Sequence, residues 1–519
     1  MQRATSLKKI SNRKNPWDFI IIGGGASGLG AVVDSSSRGF QTLLLEKNDF
    51  AKGTSSRSTK LVHGGVRYLQ NGDISLVIEA LKERGIMRKN APHLVRDLSF
   101  VIPSYDWWNS PFYGIGLKIY DMMAGNLGLG PSTLLDKNET IKLIPNVKRK
   151  GLRGGVIYHD GQFDDARMAI SLAKTATQQG GTVCNYMEIK KLLKENNIIK
   201  GVVAYDSINN KEIQIFSKVV INATGVFSDN IIQMDNPKSC KLIKPSQGIH
   251  LVLDKKFLDG PHAIMIPQTS DGRVLFAVPW KDYVILGTTD TVIENTLEEP
   301  IPLDEEINFI LDNAGKYMTY IPKIEDVKSV FSGLRPLAAP ENEGESTKEI
   351  SRHHKVLVSE SGLISVLGGK WTTYRKMAED TINTAITVAG LPERSCITQD
   401  LPIYGYDYNS DWNDPMHVYG SEIENIKKID KKSFNKSLSD KFFISKNQII
   451  WAIKKEMAIT LEDILARRTR CLFLNAKESI KIAPLVVQIM AKQMGNNSNW
   501  IKTELENFIT LAKKYQIKL

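Results

Sequence analysis

The sequence has few cysteines and no long apolar run. Four cysteines in 519 residues, never spaced as CxxC, argue against a disulfide framework or a structural zinc site and fit a reducing compartment. We expect four buried thiols, at Cys184, Cys240, Cys396 and Cys471. The longest uncharged run, residues 19–33, holds five glycines and cannot span about 30 Å of hydrocarbon, and the first residues lack the apolar stretch of a secretory signal. The sequence predicts a cytoplasmic protein whose membrane contact is peripheral.

The charge of the chain is unevenly distributed. With 42% hydrophobic and 24% charged residues, the chain can bury cores for two or three domains, which excludes an intrinsically disordered protein. Residues 1–16 carry five basic and no acidic residues, and this segment predicts a disordered terminus, with an organellar presequence as the alternative. Residues 431–519 carry 17 basic against 7 acidic residues. They predict either an anionic partner surface, phospholipid or nucleic acid, or simply solvated helix faces.

A glycine-rich turn between two apolar runs is the strongest local pattern. Residues 18–22 and 41–45 predict two buried strands joined by a helix, and the second strand ends at Glu46. In such a unit three glycines allow a tight turn, close approach of the backbone to a diphosphate, and packing of helix on strand. These glycines are Gly23, Gly25 and Gly28. With Glu46 placed to bind a ribose hydroxyl, the unit predicts a dinucleotide site.

The rest of the chain changes its periodicity twice. Residues 74–90 predict a helix with Lys82, Glu83 and Arg84 on its outer face. Alternating apolar runs between residues 246 and 300 predict an antiparallel sheet. From about residue 396 the pattern becomes helical, and a capping box at Thr460 predicts the start of one of these helices.

Four further segments hold residues that could carry chemistry. Residues 54–68 are rich in hydroxyls and end in glycines flanked by His, Arg and Tyr, which suits a backbone wrapping a phosphate or a flavin ring beside a polar substrate. The same residues could also form an N-cap cluster with a surface arginine. The turns at 222–225, 332–336 and 368–375 each place a glycine beside a cation or a hydroxyl, and each is a weak signal alone.

Taken in order, these segments resemble the FAD-dependent glycerol-3-phosphate dehydrogenase family, flavoproteins of the D-amino-acid oxidase type. The resemblance runs from Phe19 to about Arg470 and rests on seven motifs. The motifs are Ile-Ile-Gly-Gly-Gly-Ala-Ser-Gly (21–28), Ser-Thr-Lys-Leu-Val-His-Gly-Gly-Val-Arg-Tyr-Leu (58–69), Asn-Ala-Thr-Gly (222–225), Gly-Thr-Thr-Asp (287–290), Ser-Gly-Leu-Arg-Pro (332–336), Gly-Gly-Lys-Trp-Thr-Thr-Tyr-Arg (368–375) and Arg-Arg-Thr-Arg (467–470).

The family implies an α/β fold with three regions. The first is a Rossmann-like FAD-binding domain of the D-amino-acid oxidase type, the second a substrate domain on an antiparallel sheet, and the third a C-terminal α-helical domain. The implied bounds are 17–100, 150–245 and 345–395 for the FAD-binding domain, 101–149 and 246–344 for the substrate domain, and 396–519 for the helical domain.

The resemblance implies FAD as the cofactor and assigns its contacts by motif. The residues implied for the ADP part are Gly23, Gly25, Ser27, Gly28 and Glu46. Those implied for the diphosphate and the ring are Ser55, Ser56 and Ser58. Those implied for the second dinucleotide turn and the turn beside the flavin are Ala223, Thr224, Gly225, Gly368, Gly369, Thr372 and Thr373.

The resemblance also implies the reaction, in which a hydride passes from C2 of sn-glycerol 3-phosphate to FAD and the electrons pass to a membrane quinone. The implied substrate residues are His63, Arg67, Tyr68, Arg335 and Lys370, with Arg352 as a further member. Arginine suits a dianionic phosphate because its planar fork makes bidentate bonds. His63 is the candidate base because its ordinary pKa lies nearest to neutral pH. It could instead only hydrogen-bond the hydroxyl while an arginine or water takes the proton.

Two alternative functions stay open. One is a soluble oxidase that passes the electrons to oxygen. The other is an RNA-associated flavoprotein, which we disfavour because the aromatic residues of 431–519 mostly fall on apolar faces.

We expect docking on an anionic membrane surface through the basic C-terminal part and the aromatic segment 107–120. We expect no nucleic acid, no metal site and no EF-hand calcium loop. The resemblance is also compatible with a homodimer.

Overall fold

The computed structural model describes residues 1–65, 73–106, 109–339 and 354–517, except for the side chains of 109–113, 115 and 126. Two sheets lie side by side, and a cluster of helices from the C-terminal part packs against both. The arrangement agrees with the expected fold class in having a Rossmann-like parallel sheet, a largely antiparallel second sheet, and a C-terminal helical region.

The first sheet is parallel at its centre because its middle strands are apolar on both faces. Its order is β17-β18-β10-β1-β2-β7, with β8 and β9 forming a hairpin on β10. The strands are β1 (Trp17–Ile22), β2 (Thr42–Leu45), β7 (Thr182–Cys184), β8 (Met187–Glu195), β9 (Ile198–Asp206), β10 (Lys211–Asn222), β17 (Lys355–Val358) and β18 (Ile364–Leu367). Its helices are α2 (Ala26–Ser37), α6 (Asp165–Gln178), α7 (Ser228–Asp235) and α9 (Tyr374–Val388). Helices α2, α6 and α9 share one buried core on one face of this sheet.

The second sheet contains the alternating runs noted in the sequence. Its strands are β3 (Leu61–Val62), β4 (Val95–Ser104), β5 (Thr133–Asp136), β6 (Gly154–Phe163), β11 (Ile243–Asp254), β12 (Ala263–Ile266), β13 (Leu275–Trp280), β14 (Tyr283–Gly287), β15 (Thr291–Val292) and β16 (Ser329–Ala338). All described pairs are antiparallel except β12 with β4. Its helices are α3 (Ile74–Asn90), α4 (Asn109–Ala124), α5 (Lys137–Leu143) and α8 (Asp304–Tyr317). Strand β4 crosses residue 100, where the expected domain bounds divide the chain.

The C-terminal region is helical, as expected. Its helices are α10 (Ile423–Lys427), α11 (Lys446–Lys455), α12 (Cys471–Leu474), α13 (Ala476–Met494) and α14 (Ser498–Lys513). The expected capping box is present, because the Thr460 hydroxyl accepts from the Asp463 amide while the Asp463 carboxylate accepts from the Thr460 amide. The helix that follows is a short π-helical turn over 463–468 instead of a long α-helix.

The expectation of a disordered N-terminus is wrong. Residues Arg3–Asn12 form helix α1, and its Ile10 joins the buried core beneath β1 and β2. Arg3 donates to the Asp206 carboxylate at 2.6 Å and to the Asn185 carbonyl at 3.0 Å. The basic residues that suggested a free tail therefore include one that ties the helix to the first sheet.

Two expectations about burial are corrected as well. Glu83 and Arg84, expected on the outer face of α3, are buried because Glu83 pairs with Arg375 and Arg84 pairs with Asp160. Of the four cysteines expected to be buried, Cys184 and Cys471 are, whereas Cys396 is half-buried and Cys240 is exposed.

Candidate active site

A single large cavity of about 740 Å³ runs between the two sheets. Its walls come from the turn after β1, the segment 54–63, the turn after β10, the facing strands β11 and β16, and the turn after β18. Because the segments come from both sheets, a molecule in the cavity would contact both regions of the protein. This placement agrees with the general position of binding sites outside the carboxyl ends of parallel strands.

The glycine turn lies where β1 meets helix α2. Gly23 has φ +110°, and a Cβ there would lie 2.6 Å from the carbonyl oxygen of Ala223. A Cβ on Gly28 would lie 2.0 Å from the Gly23 carbonyl oxygen, so only glycine lets the helix start this close to the strand. Gly25 and Ser27 line the cavity, whereas Gly28 packs behind them. The arrangement aims the amino end of α2 at the cavity, where a phosphate group is favoured.

Glu46 stands at the end of β2 and faces the same cavity. One carboxylate oxygen accepts from the Gly24 amide at 2.5 Å and the other from the Asn48 amide at 2.8 Å. Burial raises the pKa of Glu46, and these two amides act against that change. The carboxylate is therefore held in one orientation at the edge of the glycine turn, as a ribose contact requires.

The three serines expected at the cofactor occupy different places. The Ser55 hydroxyl lines the cavity and accepts from the Ala26 amide at 2.9 Å, at the first turn of α2. Ser58 also lines the cavity, but its hydroxyl donates away from it, to Asp165 at 2.7 Å. Ser56 is buried behind the wall. Of the three, Ser55 thus has the geometry best suited to a diphosphate.

The two remaining cofactor turns close the cavity from the other side. Six residues of these turns line it, namely Ala223, Thr224, Gly225, Gly368, Gly369 and Thr372. Thr373 does not, because it lies at the start of α9. The Trp371 indole donates to the Ser55 carbonyl at 2.9 Å and so joins this turn to segment 54–63. The glycine turn, the amino end of α2 and Glu46 together fit the diphosphate and a ribose of FAD.

Arg335, expected at the substrate, lines the cavity and has well-defined partners. It comes from β16, and its guanidinium donates to the Thr289 carbonyl at 2.9 Å and the Gln247 carbonyl at 3.3 Å. Asp290 lies 3.3 Å away and balances part of its charge. These two carbonyls and Asp290 thus fix the direction of the guanidinium, which lines the cavity.

His63 and Lys370 line the same cavity, with His63 just after β3 and Lys370 just before helix α9. The structure therefore brings three of the expected substrate residues to one cavity, from segments that are distant in sequence. Arg67, Tyr68 and Arg352 lie outside the described residues.

His250 lines the cavity as well, and sequence reasoning missed it. Its Nε2 lies 2.8 Å from the Thr59 hydroxyl, and its ring stacks on Phe331 with centroids 4.8 Å apart. Burial, with Lys60 and Arg335 nearby, holds the pKa of His250 well below its ordinary value, so the imidazole is neutral at pH 7. Its sequence context, an alternating apolar run, is that of an ordinary strand. In the structure this strand pairs with the strand that ends at the Gly-Thr-Thr-Asp motif, and His250 lies opposite Gly287.

Comparison with protein families matches two parts of the chain. Residues 18–375 match the family of FAD dependent oxidoreductases. Residues 396–500 match the C-terminal domain of alpha-glycerophosphate oxidase. The first match covers more than half of the chain and includes every described residue that lines the cavity except Met377.

Whole-chain relatives are similar over nearly the full sequence. The mitochondrial glycerol-3-phosphate dehydrogenase of Bos taurus is 37% identical over 96% of this chain and 73% of that protein. The enzyme of the same name from Schizosaccharomyces pombe is 38% identical over 95% of this chain and 86% of that protein.

Solved structures show the same architecture. The glycerol-3-phosphate dehydrogenase of Bacillus halodurans, complexed with FAD, superposes with a TM-score of 0.79 at 27% identity and covers 99% of both chains. The L-alpha-glycerophosphate oxidase of Mycoplasma pneumoniae, with FAD bound, superposes with a TM-score of 0.57 at 16% identity, over 75% of this chain and 98% of that one. The second likeness concerns the fold alone.

Proposed function

Since the chain belongs to the FAD-dependent glycerol-3-phosphate dehydrogenases, we propose that it oxidises sn-glycerol 3-phosphate to dihydroxyacetone phosphate and passes the electrons to a membrane quinone. The observation that carries this proposal is the position of Arg335, His63 and Lys370 in the cavity that also holds the glycine turn and Glu46. Fixed cations for a phosphate and a groove for a dinucleotide are thereby joined in one space.

The phosphate of the substrate would be anchored by Arg335. The carbonyls of Gln247 and Thr289 hold its guanidinium in one direction before the substrate arrives, and a phosphate in the cavity would pair with this fixed charge. Lys370 adds a point charge from the flavin side of the cavity. Bound FAD supplies the hydride acceptor.

The proton of the C2 hydroxyl needs an acceptor, and the cavity offers two histidines. His63 is the candidate given by the sequence. His250 is the second, because burial keeps its imidazole neutral and the Thr59 hydroxyl fixes its ring. A neutral imidazole can accept a proton in the transition state, whereas an imidazolium cannot. We expect the histidine that acts as base to change the pH profile of kcat when it is replaced by asparagine, and the other to change KM alone.

Arg335→Lys tests the phosphate anchor. We expect KM for glycerol 3-phosphate to rise at least about tenfold while FAD content stays that of the wild type, because a point charge cannot replace a fork. The control is Arg149→Lys, a solvent-exposed arginine away from the cavity, which should leave both values unchanged. A kcat/KM within twofold of wild type for Arg335→Lys would remove Arg335 from the pocket.

The proposed function and its alternative differ in the electron acceptor. An oxidase is the second candidate function, because the helical region matches the C-terminal domain of alpha-glycerophosphate oxidase. Turnover with a soluble quinone analogue should exceed turnover with oxygen as sole acceptor. Equal or faster turnover with oxygen would favour the oxidase.

Peripheral docking on an anionic membrane belongs to the same proposal. Two neighbouring helices carry apolar side chains that water does not favour: Ile74 and Ile78 of α3 are 53% and 48% exposed, and Met122 of α4 is 81% exposed. Lysines flank both sets, at Lys82 and Lys118. No helix among the described residues could cross a bilayer.

Part of the basic charge that suggested membrane binding is buried in the structure. Of the basic residues in 431–519, three arginines are buried and ion-paired, namely Arg467, Arg468 and Arg470. In the expected docking segment 107–120, Trp107 and Trp108 and the side chains of Phe112 and Tyr113 lie outside the described part of the chain, and Tyr120 is buried and cannot face a membrane. The α3 and α4 surface therefore carries the docking proposal in their place. The cytoplasmic location expected from the sequence stays a prediction.

Sedimentation with liposomes of graded anionic content tests the docking. Wild-type protein should pellet at low salt and less at high salt, because exposed charges are screened. Met122→Asp should weaken pelleting, and Ile208→Asp, at an exposed apolar residue of a β-hairpin turn, should not. No pelleting of the wild type at low salt would remove the membrane proposal.

A further inference from the structure

One side of segment 54–60 forms a wall of the cavity, and the opposite side faces the protein interior. Thr54, Ser55, Ser58 and Thr59 line the cavity. On the inner side Lys60 is fully buried, with φ +64°. A lysine in this left-handed conformation is uncommon and persists only where the surroundings fix it.

Asp165, the first residue of α6, holds this segment from behind. Its Oδ2 accepts from the Ser58 amide at 3.1 Å, the Ser58 hydroxyl at 2.7 Å and the Lys60 ammonium at 2.7 Å. Its Oδ1 accepts from the Arg470 guanidinium at 3.0 Å and the Ala166 amide at 2.8 Å. The carboxylate is fully buried and does not line the cavity.

Arg470 reaches this carboxylate from the C-terminal helical region. It lies between the π-helical turn and α12 and is fully buried. The same Nη2 that donates to Asp165 also donates to the Ser56 carbonyl at 2.7 Å, and that carbonyl also accepts from Lys60 at 2.8 Å. Nη1 donates to the Ala466 carbonyl at 3.1 Å. A guanidinium fork can make these bonds together, whereas a lysine ammonium cannot take the same positions.

We propose that Arg470 is a positioning residue for the cofactor cavity: with Asp165 and Lys60 it fixes segment 54–60 and, through Thr59, the orientation of His250. Thr59 lies between Ser58 and Lys60, both of which bind Asp165. Its hydroxyl is 2.8 Å from His250 Nε2. Arg470 touches neither the cavity nor a substrate residue, so its effect is indirect.

The consequence is that the C-terminal region contributes to cofactor binding and to proton transfer without lining the cavity. A purely structural role would lower stability and nothing else. A positioning role changes the affinity for FAD and lowers kcat, while KM for glycerol 3-phosphate stays near wild type because Arg335 and Lys370 do not contact Arg470. The kcat part rests on the proposed function, and the FAD part does not.

Arg470→Lys tests the proposal in the full chain. We expect the Kd for FAD, measured by titrating the apoprotein and following flavin fluorescence, to rise at least about tenfold. We expect kcat to fall by a similar factor with KM within twofold. The matched control is Arg38→Lys, a buried arginine whose partners Asp34 and Asn383 lie outside segment 54–60 and do not line the cavity. It should lose stability but keep the FAD Kd and kcat of the wild type.

Two further variants keep the proposal testable if Arg470→Lys does not fold. Lys60→Met places an apolar side chain among the rings of Trp280, Phe331 and Phe473, where it can pack. It should raise the FAD Kd at least about threefold. Thr59→Val should lower kcat and shift its pH profile without changing the FAD Kd.

The outcomes separate the two parts of the account. An FAD Kd within twofold of wild type in both Arg470→Lys and Lys60→Met, or in Lys60→Met alone if Arg470→Lys does not fold, overturns the positioning role. An unchanged kcat in Thr59→Val overturns the link to His250. A wild-type protein that binds FAD but does not oxidise glycerol 3-phosphate would refute the proposed function and leave the FAD result standing.

Discussion

The glycine turn after β1 and the interface of the C-terminal helices are both nearly closed to solvent, yet they are built from opposite materials. The turn depends on missing side chains, since a Cβ on Gly28 would lie 2.0 Å from a carbonyl oxygen. The interface depends on buried charge. Arg468 donates to both oxygens of Asp49, at 2.6 and 2.9 Å, and Arg167 donates to both oxygens of Glu456 at 2.9 Å.

Because of this difference, the two regions lose their native structure for different reasons. A backbone turn fails through steric overlap, which acid and salt do not change. A buried ion-pair network fails when one partner loses its charge, because the other is then buried and unpaired. Asp49 lies three residues after Glu46, so the two regions meet at the edge of the cofactor site.

Acid should have the largest effect, and three carboxylates of the interface make that region sensitive to it. Burial by itself would raise the pKa values of Asp49, Glu456 and Glu462, but neighbouring arginines hold each at about 2, below the ordinary values of about 4. The stability that these carboxylates contribute is complete above about pH 5 and is lost as the pH falls toward 2. Urea unfolding of the holoprotein at pH 7, 5, 4 and 3 should show a steep loss below about pH 4. A midpoint that stays constant from pH 7 to 3 would contradict this account of the interface.

Arg468→Met should have the next largest effect, because it leaves Asp49 with one guanidinium fewer in a dry interior. We expect the free energy of unfolding to fall by about 3–5 kcal/mol. Lys89→Met is the control, since its pair with Asp400 is 61% and 76% exposed and contributes at most about 1 kcal/mol. Equal losses in the two variants would show that burial does not distinguish these pairs.

Gly28→Ala sharpens the comparison from the other side. The added Cβ overlaps the Gly23 carbonyl, so α2 must shift from β1 and FAD content should fall severely even where the protein folds. In Gly116→Ala a Cβ meets nothing within 4 Å, and the purified protein should retain its FAD. Full FAD occupancy in Gly28→Ala would mean that the turn is not the cofactor site.

Glu46→Ala should have the smallest effect of the four. It removes one charge-assisted hydrogen bond to a ribose and should weaken FAD binding by about 1.5–3 kcal/mol. Glu195→Ala, at an exposed strand residue, provides the control. Finding bound NAD and no flavin in the wild type would contradict the assignment of the turn.

The same contrast explains how much could be predicted from the sequence. The unit from β1 to Glu46 is contiguous, and its strand, turn, helix and acid follow local rules, so it was predictable from residue types and spacing. The antiparallel runs of β11, β13 and β14 were predictable for the same reason. The position of His63, Arg335 and Lys370 in one cavity followed from the family resemblance and not from periodicity.

What escaped prediction depends on partners that are distant in sequence. The sequence predicts that Glu83 faces solvent on α3. It is buried instead, because it pairs with Arg375, which is 292 residues away. The Arg-Arg-Thr-Arg motif could be seen in the sequence. Its role could not be predicted, because Arg467 pairs with Asp49, which is 418 residues away. His250 was missed because a histidine within an apolar strand has the pattern of an ordinary core residue.

The reaction itself can be tested in one measurement on the wild-type holoprotein. Mixed anaerobically with sn-glycerol 3-phosphate, the purified yellow protein should lose its visible flavin absorbance and form dihydroxyacetone phosphate in an amount equal to the flavin reduced. Glycerol at the same concentration should leave the absorbance unchanged, because Arg335 and Lys370 then have no phosphate to hold. Retention of the flavin absorbance with glycerol 3-phosphate, or equal bleaching by glycerol, would contradict the central claim.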